Sequence, residues 1–277
     1  MTAHTNGNIK LSFCSTIMNR RESLKQTLLA NLEMIAHYNG IAELNLINFI
    51  KDKEGQKIHD WILNLGTRHH FNYFVCTEMN FWHASTAKNT SHMVASGSLL
   101  INLDCDNFIS KNALDQLASF SSSQLSNTIY LGYTGTVERN YCPLRNKNLK
   151  VKYKFKSKKP FDGSFGLMGF PSHLYKKIGG YDEQLPPMGG QDKNLFLRAI
   201  AAKPEIMVVH IPSFHDPIQN TKNDGLINIG IPNYHWKKNE RSAYKRTKYV
   251  LRKDLLQANI DKTIGLNVIN GYAYECD

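Results

Sequence analysis

The sequence predicts an α/β fold: an open, twisted, mostly parallel sheet with helices on both faces. Short apolar runs of strand length alternate with stretches of helical periodicity through the first half of the 277-residue chain. A hydrophobic share of 42% is enough to bury a core of that size. The run from Ser98 to Leu103 stops abruptly at Asp104-Cys105-Asp106. Open α/β sheets bind ligands beyond the carboxyl ends of their strands, so two carboxylates at such an end are placed to face a cleft. Their hard oxygens suit a divalent cation that takes its remaining ligands from phosphate and water.

In chain order, Lys10 to Ile17 reads as the first strand, followed by Met18-Asn19-Arg20-Arg21 and a helix over about 22 to 37. Leu24, Leu28, Leu32 and Ile35 give that helix its apolar stripe at three- and four-residue spacing. Ala42 to Ile50 and Phe71 to Cys76 are the next strands, with a helix over about 55 to 65 between them. A helix over about 84 to 95 leads into the strand that ends at Asp104. A helix over about 111 to 120 and a strand at Thr128 to Tyr133 follow, and then the alternation breaks. Lys150, Lys152, Lys154, Lys156 and Lys158 alternate with Val151, Tyr153, Phe155 and Ser157, which predicts a strand or extended arm with one cationic face. A Gly-rich piece, Phe161 to Phe170, precedes a short helix near 172 to 178 and turns at Gly179-Gly180 and Gly189-Gly190. Asp192 opens a helix to about 202, and the last strand covers 205 to 211 and runs into Pro212-Ser213-Phe214-His215-Asp216-Pro217.

Five scattered cysteines with no Cys-x-x-Cys pair argue against a disulfide framework and a zinc site. No apolar run reaches the ~18 to 20 residues of a membrane span, and the first residues lack the apolar core of a signal peptide, so a cytoplasmic location is expected. The formal net charge is +11. Nearly half of the 34 basic residues lie in two clusters, Arg145 to Lys159 and Lys237 to Lys253, and outside them acidic residues outnumber basic ones. The composition shift near Trp236 predicts a main domain over 1–235 and a basic helical extension over 236–277.

Several of these motifs, in order and spacing, resemble nucleotide-sugar glycosyltransferases of the GT-A fold over about residues 10 to 217. Ala87-Lys88-Asn89-Thr90 through Gly97, the strand, and Asp104-Cys105-Asp106 are similar to the helix, strand and metal motif of family 2 enzymes, with Lys88 where Arg is common. Asn19-Arg20-Arg21-Glu22-Ser23-Leu24 resembles the Asn-Arg-x-Glu-x-Leu segment of the animal β1,4-galactosyltransferases. So does Gly169 to Asp192, where Gly189-Gly190-Gln191-Asp192 stands in place of Gly-Gly-Glu-Asp.

The resemblance implies a metal-dependent, inverting transfer of a hexose, galactose or N-acetylgalactosamine, from a UDP-sugar to a glycan or lipid-linked glycan acceptor. Asp106 and His215 are the implied metal ligands, with His210 as rival to His215. Carboxylate with imidazole favours Mn²⁺, with Mg²⁺ as the other candidate. Asp104 is expected beside the metal on sugar or ribose hydroxyls. Thr16, Asn19, Arg20 and Lys88 would hold uridine or diphosphate, and Asp52 is a weaker candidate for the uracil. Gly189, Gly190 and Gln191 would meet the donor or acceptor sugar. Asp192 is the expected general base, although a carboxylate in a helix's first turn is also explained by the helix dipole. The replacement of Glu by Gln191 leaves the sugar less certain than the role of Asp192.

The basic clusters have three readings: solvated faces, nucleic-acid binding, or attraction to an anionic membrane surface. Nucleic acid is disfavoured because no base-reading or RNA-binding motif accompanies the charge. Arg241, Lys245, Lys248 and Arg252 share one helical face, which favours association with a membrane surface. Taken with the resemblance, the absence of a secretory anchor leads to the expectation of a cytoplasmic enzyme, peripheral to the inner face of the membrane, building a bacterial surface polysaccharide. The rival from another class is a non-catalytic basic binding module, for nucleic acid or anionic glycans, on a degenerate transferase fold. A nucleotidyltransferase is a further rival, but Met18 to Glu22 lacks the Gly-rich phosphate loop it would need.

Overall fold

A computed structural model describes residues 9–66, 70–136, 166–215, 236–260, 264–266 and 271–273, with backbone alone at 133–136, 212–215, 236–237 and 271–273. The elements are β1 (Leu11–Ile17), α1 (Arg21–Ala36), β2 (Ala42–Phe49), α2 (Lys53–Leu63), β3 (Phe71–Cys76), α3 (Ala84–Met93) and β4 (Leu99–Asp104). There follow β5 (Asn107–Phe108), α4 (Lys111–Ser119), α5 (Ser122–Leu125), β6 (Thr128–Thr136), β7 (Leu167–Pro171), α6 (Ser172–Lys177), α7 (Gln191–Ala202), β8 (Met207–His215), α8 (Trp236–Arg252) and β9 (Gly271–Ala273). The nine strands described form one sheet in the order β5-β8-β6-β7-β4-β1-β2-β3-β9. The block β3-β2-β1-β4 is parallel, as the alternation of strand and helix requires.

The sheet is more mixed than the sequence predicts. β7 runs antiparallel to both β4 and β6, and the edge strands β5 and β9 are also antiparallel to their neighbours. β7 escapes a sequence reading because Leu167 to Pro171 looks like the end of a Gly-rich loop, while β5 and β9 are too short to show a period. β8 also reaches four residues further than the sequence suggests and includes His215. The cationic arm at 150 to 158 and the whole of the first basic cluster lie outside the described residues.

Both faces of the central strands are covered, so β1 and β2 are buried along their whole length. Side-chain alternation divides the core in two. Leu99, Ile101 and Leu103 of β4 join Leu24, Leu28, Leu32 and Ile35 of α1 and Leu114 and Leu117 of α4 on one face. Leu100, with Met168 and Phe170 of β7, meets Leu174 of α6 and Leu195, Phe196 and Ala199 of α7 on the other.

The segment after residue 235 is built into this second layer. On α8, Thr247 Oγ1 accepts from Asn194 Nδ2 of α7 at 3.0 Å, and Arg246 pairs with buried Asp182. Beyond α8 the Ala258 amide donates to Ile178 O at 2.9 Å, and Asn259 Nδ2 donates to Gly179 O and Tyr181 O at 2.9 and 2.7 Å. Gly179 has φ +70°, and a Cβ there would lie 2.0 Å from Ala258 O, so the turn and the returning chain fit only around a glycine. Residues 236–277 thus contribute an edge strand and a clasp on the α6–α7 turn as well as the expected basic helix.

Arg198 of α7 is fully buried and ties these pieces together. It donates to Asn194 Oδ1 at 2.8 Å and to the carbonyls of Ile178, Gly180 and Leu256 at 2.7, 2.5 and 3.2 Å. Burial lowers its pKa to about 10, so it is still charged at neutral pH. Arg198→Met removes the side-chain donor from Asn194 Oδ1 and from three carbonyls, of which Ile178 O alone keeps the Ala258 amide, and should cost roughly 3 kcal/mol of unfolding free energy in urea titration. A loss below about 1 kcal/mol would show that the clasp is held by packing alone.

Candidate functional site

The parallel strands β1, β2 and β4 end along one edge, and the predicted site residues gather there. Thr16 and Asp104 are partners in the β1–β4 register, which brings the first strand's end beside the acidic motif. The β1–α1 loop turns through Asn19 in the left-handed region, φ 55°. Asn19 Nδ2 donates to Asp52 Oδ2 at 3.0 Å, while Asp52 Oδ1 accepts from the amides of Glu54 and Gly55 as the N-cap of α2. Asp52 is therefore engaged in capping and in fixing the loop that carries Arg20.

Arg20 Nη2 meets Asp106 Oδ2 at 3.0 Å, and the other carboxylate oxygen accepts from Asn107 Nδ2 at 3.0 Å. Burial alone would lower the guanidinium's pKa, but the carboxylates of Asp106 and Asp104 hold it above its ordinary value. Cys105, between the two aspartates, is buried and its thiol is pushed up to about 12, so it is a neutral spacer. Its backbone oxygen accepts from Thr27 Oγ1 at 2.6 Å. Asn31, one helical turn on, donates to Asn107 O at 3.0 Å and accepts from the Ile109 amide at 2.8 Å. Sequence reasoning missed Thr27 and Asn31; the signal was present as Ser23, Thr27 and Asn31 at four-residue spacing beside the apolar stripe of α1.

Lys88 of α3 joins the acidic motif to α7. Its ammonium is buried, 2.7 Å from Asp192 Oδ1 and 3.3 Å from Asp104 Oδ1, and lies over the ring of Tyr181, 5.5 Å from its centroid. Burial disfavours the charge on Lys88, but Asp104 and Asp192 outweigh it and hold the pKa above the ordinary lysine value. Asp104 also accepts from Asn102 Nδ2 at 3.0 Å. For Asp192 the balance goes the other way: burial raises its pKa, Asp104 adds to the rise, and Lys88 and Tyr181 oppose it.

The approach to α7 explains Gln191. Gly189 and Gly190 have φ of 106° and 81°, and a Cβ on Gly190 would come within 2.5 Å of Ala243 Cβ on α8. Gln191 Oε1 accepts from the Gly189 amide at 2.8 Å, and its Nε2 donates to Asp192 Oδ2 at 3.2 Å. A glutamate could accept the first bond but would set a second negative charge against Asp192; the amide satisfies both ends.

His215 is the last residue of β8 and not, as predicted, in a loop beyond it. Its backbone pairs with Asn107, one residue from Asp106, while its side chain lies outside the described residues. His210 is exposed and pairs with Leu131, five residues back along the strand, roughly 16 Å at strand rise. Thr16, Asn19, Arg20, Lys88, Asp104, Asp106, Gly189, Gly190, Gln191 and Asp192 thus occupy one edge of the sheet, and the His215 backbone borders it. Among the described residues no group of three or more His, Cys, Asp or Glu side chains forms a ready metal cage.

No protein-family profile and no curated protein sequence matches the chain. Solved structures do. A crystal structure of Staphylococcus aureus TarS residues 1–349 has a TM-score of 0.56 at 13% identity over 91% of this chain and 67% of that one. The same protein in complex with UDP-GlcNAc scores 0.57 at 12% identity over 91% and 68%. GalNAc-T7 with UDP, GalNAc and Mn²⁺ scores 0.52 at 14% identity over 75% of this chain and 44% of that one. This chain spans 41% of a longer TarS structure. At these identities the likeness is one of fold, and the fold is that of the GT-A glycosyltransferases.

Proposed function

We propose that the protein is a metal-dependent, inverting glycosyltransferase that moves a hexose from a UDP-sugar to a glycan acceptor. The observation that carries the reading is the meeting of Asp104 and Asp192, from two distant parts of the chain, on the one buried ammonium of Lys88. A strand-end acidic motif and a carboxylate at a helix start, held in one site, are what donor binding and proton removal need. The UDP and UDP-GlcNAc complexes of TarS, and the UDP, GalNAc and Mn²⁺ with GalNAc-T7, support the choice of donor. Galactose or N-acetylgalactosamine leads the candidates, with the N-acetylglucosamine of the TarS complex beside them. A bacterial surface glycan is the acceptor class this reading favours.

The residues present fit a divalent ion. Asn107 Oδ1 is buried beside Asp106 without a hydrogen-bond partner, leaving an unsatisfied oxygen next to the proposed ligand. Asp106 and His215 would hold Mn²⁺, or Mg²⁺ in its place, which when bound would supply positive charge near the diphosphate of the leaving UDP. Arg20 stands at the same edge as a fixed cation for the phosphates. Thr16 and Asn19 line the end of β1, where uridine would lie. Asp192 takes the proton from the attacking acceptor hydroxyl, and Gln191 fixes its second oxygen. Gly189 would give the acceptor sugar close access to backbone, whereas Gly190 makes room for Ala243 of α8.

Screening UDP-sugars for metal-dependent UDP release tests the whole reading, and no release with any donor would favour the binding-module rival. Asp106→Ala should abolish transfer and weaken UDP affinity measured by calorimetry in Mn²⁺. Wild-type transfer by this variant, or by the native protein in excess chelator, would remove the metal from the mechanism.

Asp192→Asn should keep donor binding while turnover falls by about 10²-fold or more, since an amide cannot accept the proton. A base must be ionised to act, and burial raises this one, so the acid limb of the native pH–rate profile should fall above the ordinary aspartate value of ~3.9. Turnover unchanged in the variant, or a limb at or below that value, would take the role away from Asp192.

A further inference from the structure

α8 has two opposite sides. Ala243, Thr247 and Val250 are buried on the side that packs toward α7. At 100° per residue, Arg241, Lys245, Lys248 and Arg252 fall within a narrow stripe on the opposite side, and all four are exposed. Tyr244 and Tyr249 flank the stripe, one on each side, at 53% and 55% exposure. Lys248 Nζ sits 4.7 Å from the centroid of the Tyr244 ring. Of the nine large hydrophobic side chains exposed among the described residues, four fall between Tyr244 and Ile260, the others being Leu255 at 45% and Ile260 at 63%.

Charge alone would suit any polyanion. The coincidence of the cations with two exposed tyrosines selects among polyanions: an aromatic ring gains at a lipid headgroup boundary, where an apolar body and a polar tip are both accommodated. We infer that the outer face of α8 is a docking surface for an anionic lipid bilayer, with Arg241, Lys245, Lys248 and Arg252 meeting headgroup phosphates and Tyr244 and Tyr249 seated at the interface. The same helix lies against the site, because Ala243 fills the space that a side chain on Gly190 would need and Asn239 Nδ2 donates to Met188 O at 3.3 Å. A membrane bound to the outer face is therefore separated from the start of α7 by the width of this one helix, about 10 Å. The inference rests on this surface and does not depend on the reaction catalysed.

The test is co-sedimentation with vesicles of phosphatidylcholine alone and of phosphatidylcholine with phosphatidylglycerol in equal parts. The native protein should bind only the anionic vesicles, and binding should fall as salt is raised. Changing Arg241, Lys245, Lys248 and Arg252 together to Gln should weaken binding by about 100-fold or more, given the contribution of each basic residue near an anionic surface. Tyr244→Ala with Tyr249→Ala should weaken it while leaving the charge intact, and circular dichroism of both variants checks that α8 is folded. Indifference to anionic vesicles at low salt would overturn the proposal, as would equal binding by the folded Gln variant. Tight binding of duplex DNA with no binding to vesicles would also overturn it and favour nucleic acid.

Discussion

The site depends on one buried ammonium. Asp104 ends a strand and Asp192 begins a helix, and both are drawn toward the same space, where two carboxylates out of full solvent repel each other. Lys88 lies between them at 3.3 and 2.7 Å and makes their coexistence favourable. A lysine so deeply buried would ordinarily lose its proton; the two carboxylates keep it. The ammonium is tolerable because the carboxylates are present, and buried Asp192 because Lys88 is. Removing Lys88 leaves Asp192 uncompensated, which costs far more than a surface ion pair contributes.

Around this triad the chain supplies a second layer of neutral partners. Thr27 and Asn31 hold the acidic loop by its backbone, Asn102 steadies Asp104, and Gln191 spans from the Gly189 amide to Asp192. Each uses a group that can donate on one side and accept on another, so none adds charge to a site already crowded with it. The site is therefore rigid through hydrogen bonds while its net charge is set by few residues.

Much of this was legible beforehand, for identifiable reasons. β1, β2, β3 and β4 were readable because buried parallel strands are short apolar runs, and β3 falls on Phe71–Cys76 as predicted. The gathering of Asp104, Asp106, Lys88 and Asp192 at one edge followed from motif order. What the sequence concealed was tertiary. β7 looks like loop because its neighbours in space, β4 and β6, are what make Leu167–Pro171 a strand. The pairing of Arg20 with Asp106 joins residues 86 apart, and no local pattern announces it. Gln191, which reads as a departure from a motif, gains its logic only from the Gly189 amide and the Asp192 carboxylate that flank it. The segment after residue 235 was read by its charge, and its clasp on Gly179 is invisible without coordinates.

That clasp has a consequence in time. The contacts that complete the site bridge long stretches of chain: Lys88 to Asp192 across 104 residues, Asn259 to Gly179 across 80, and the Leu266 amide to Thr90 Oγ1 across 176. Contacts of such separation form late, because loop-closure entropy is lost before they return any stabilisation. During synthesis the parallel block β1 to β4 emerges long before the residues that lock α3 and α7 around Lys88. The polypeptide therefore holds the parallel block of its sheet, four of the nine described strands, with the acidic strand end among them, before the carboxylate proposed to do the chemistry can be fastened opposite it.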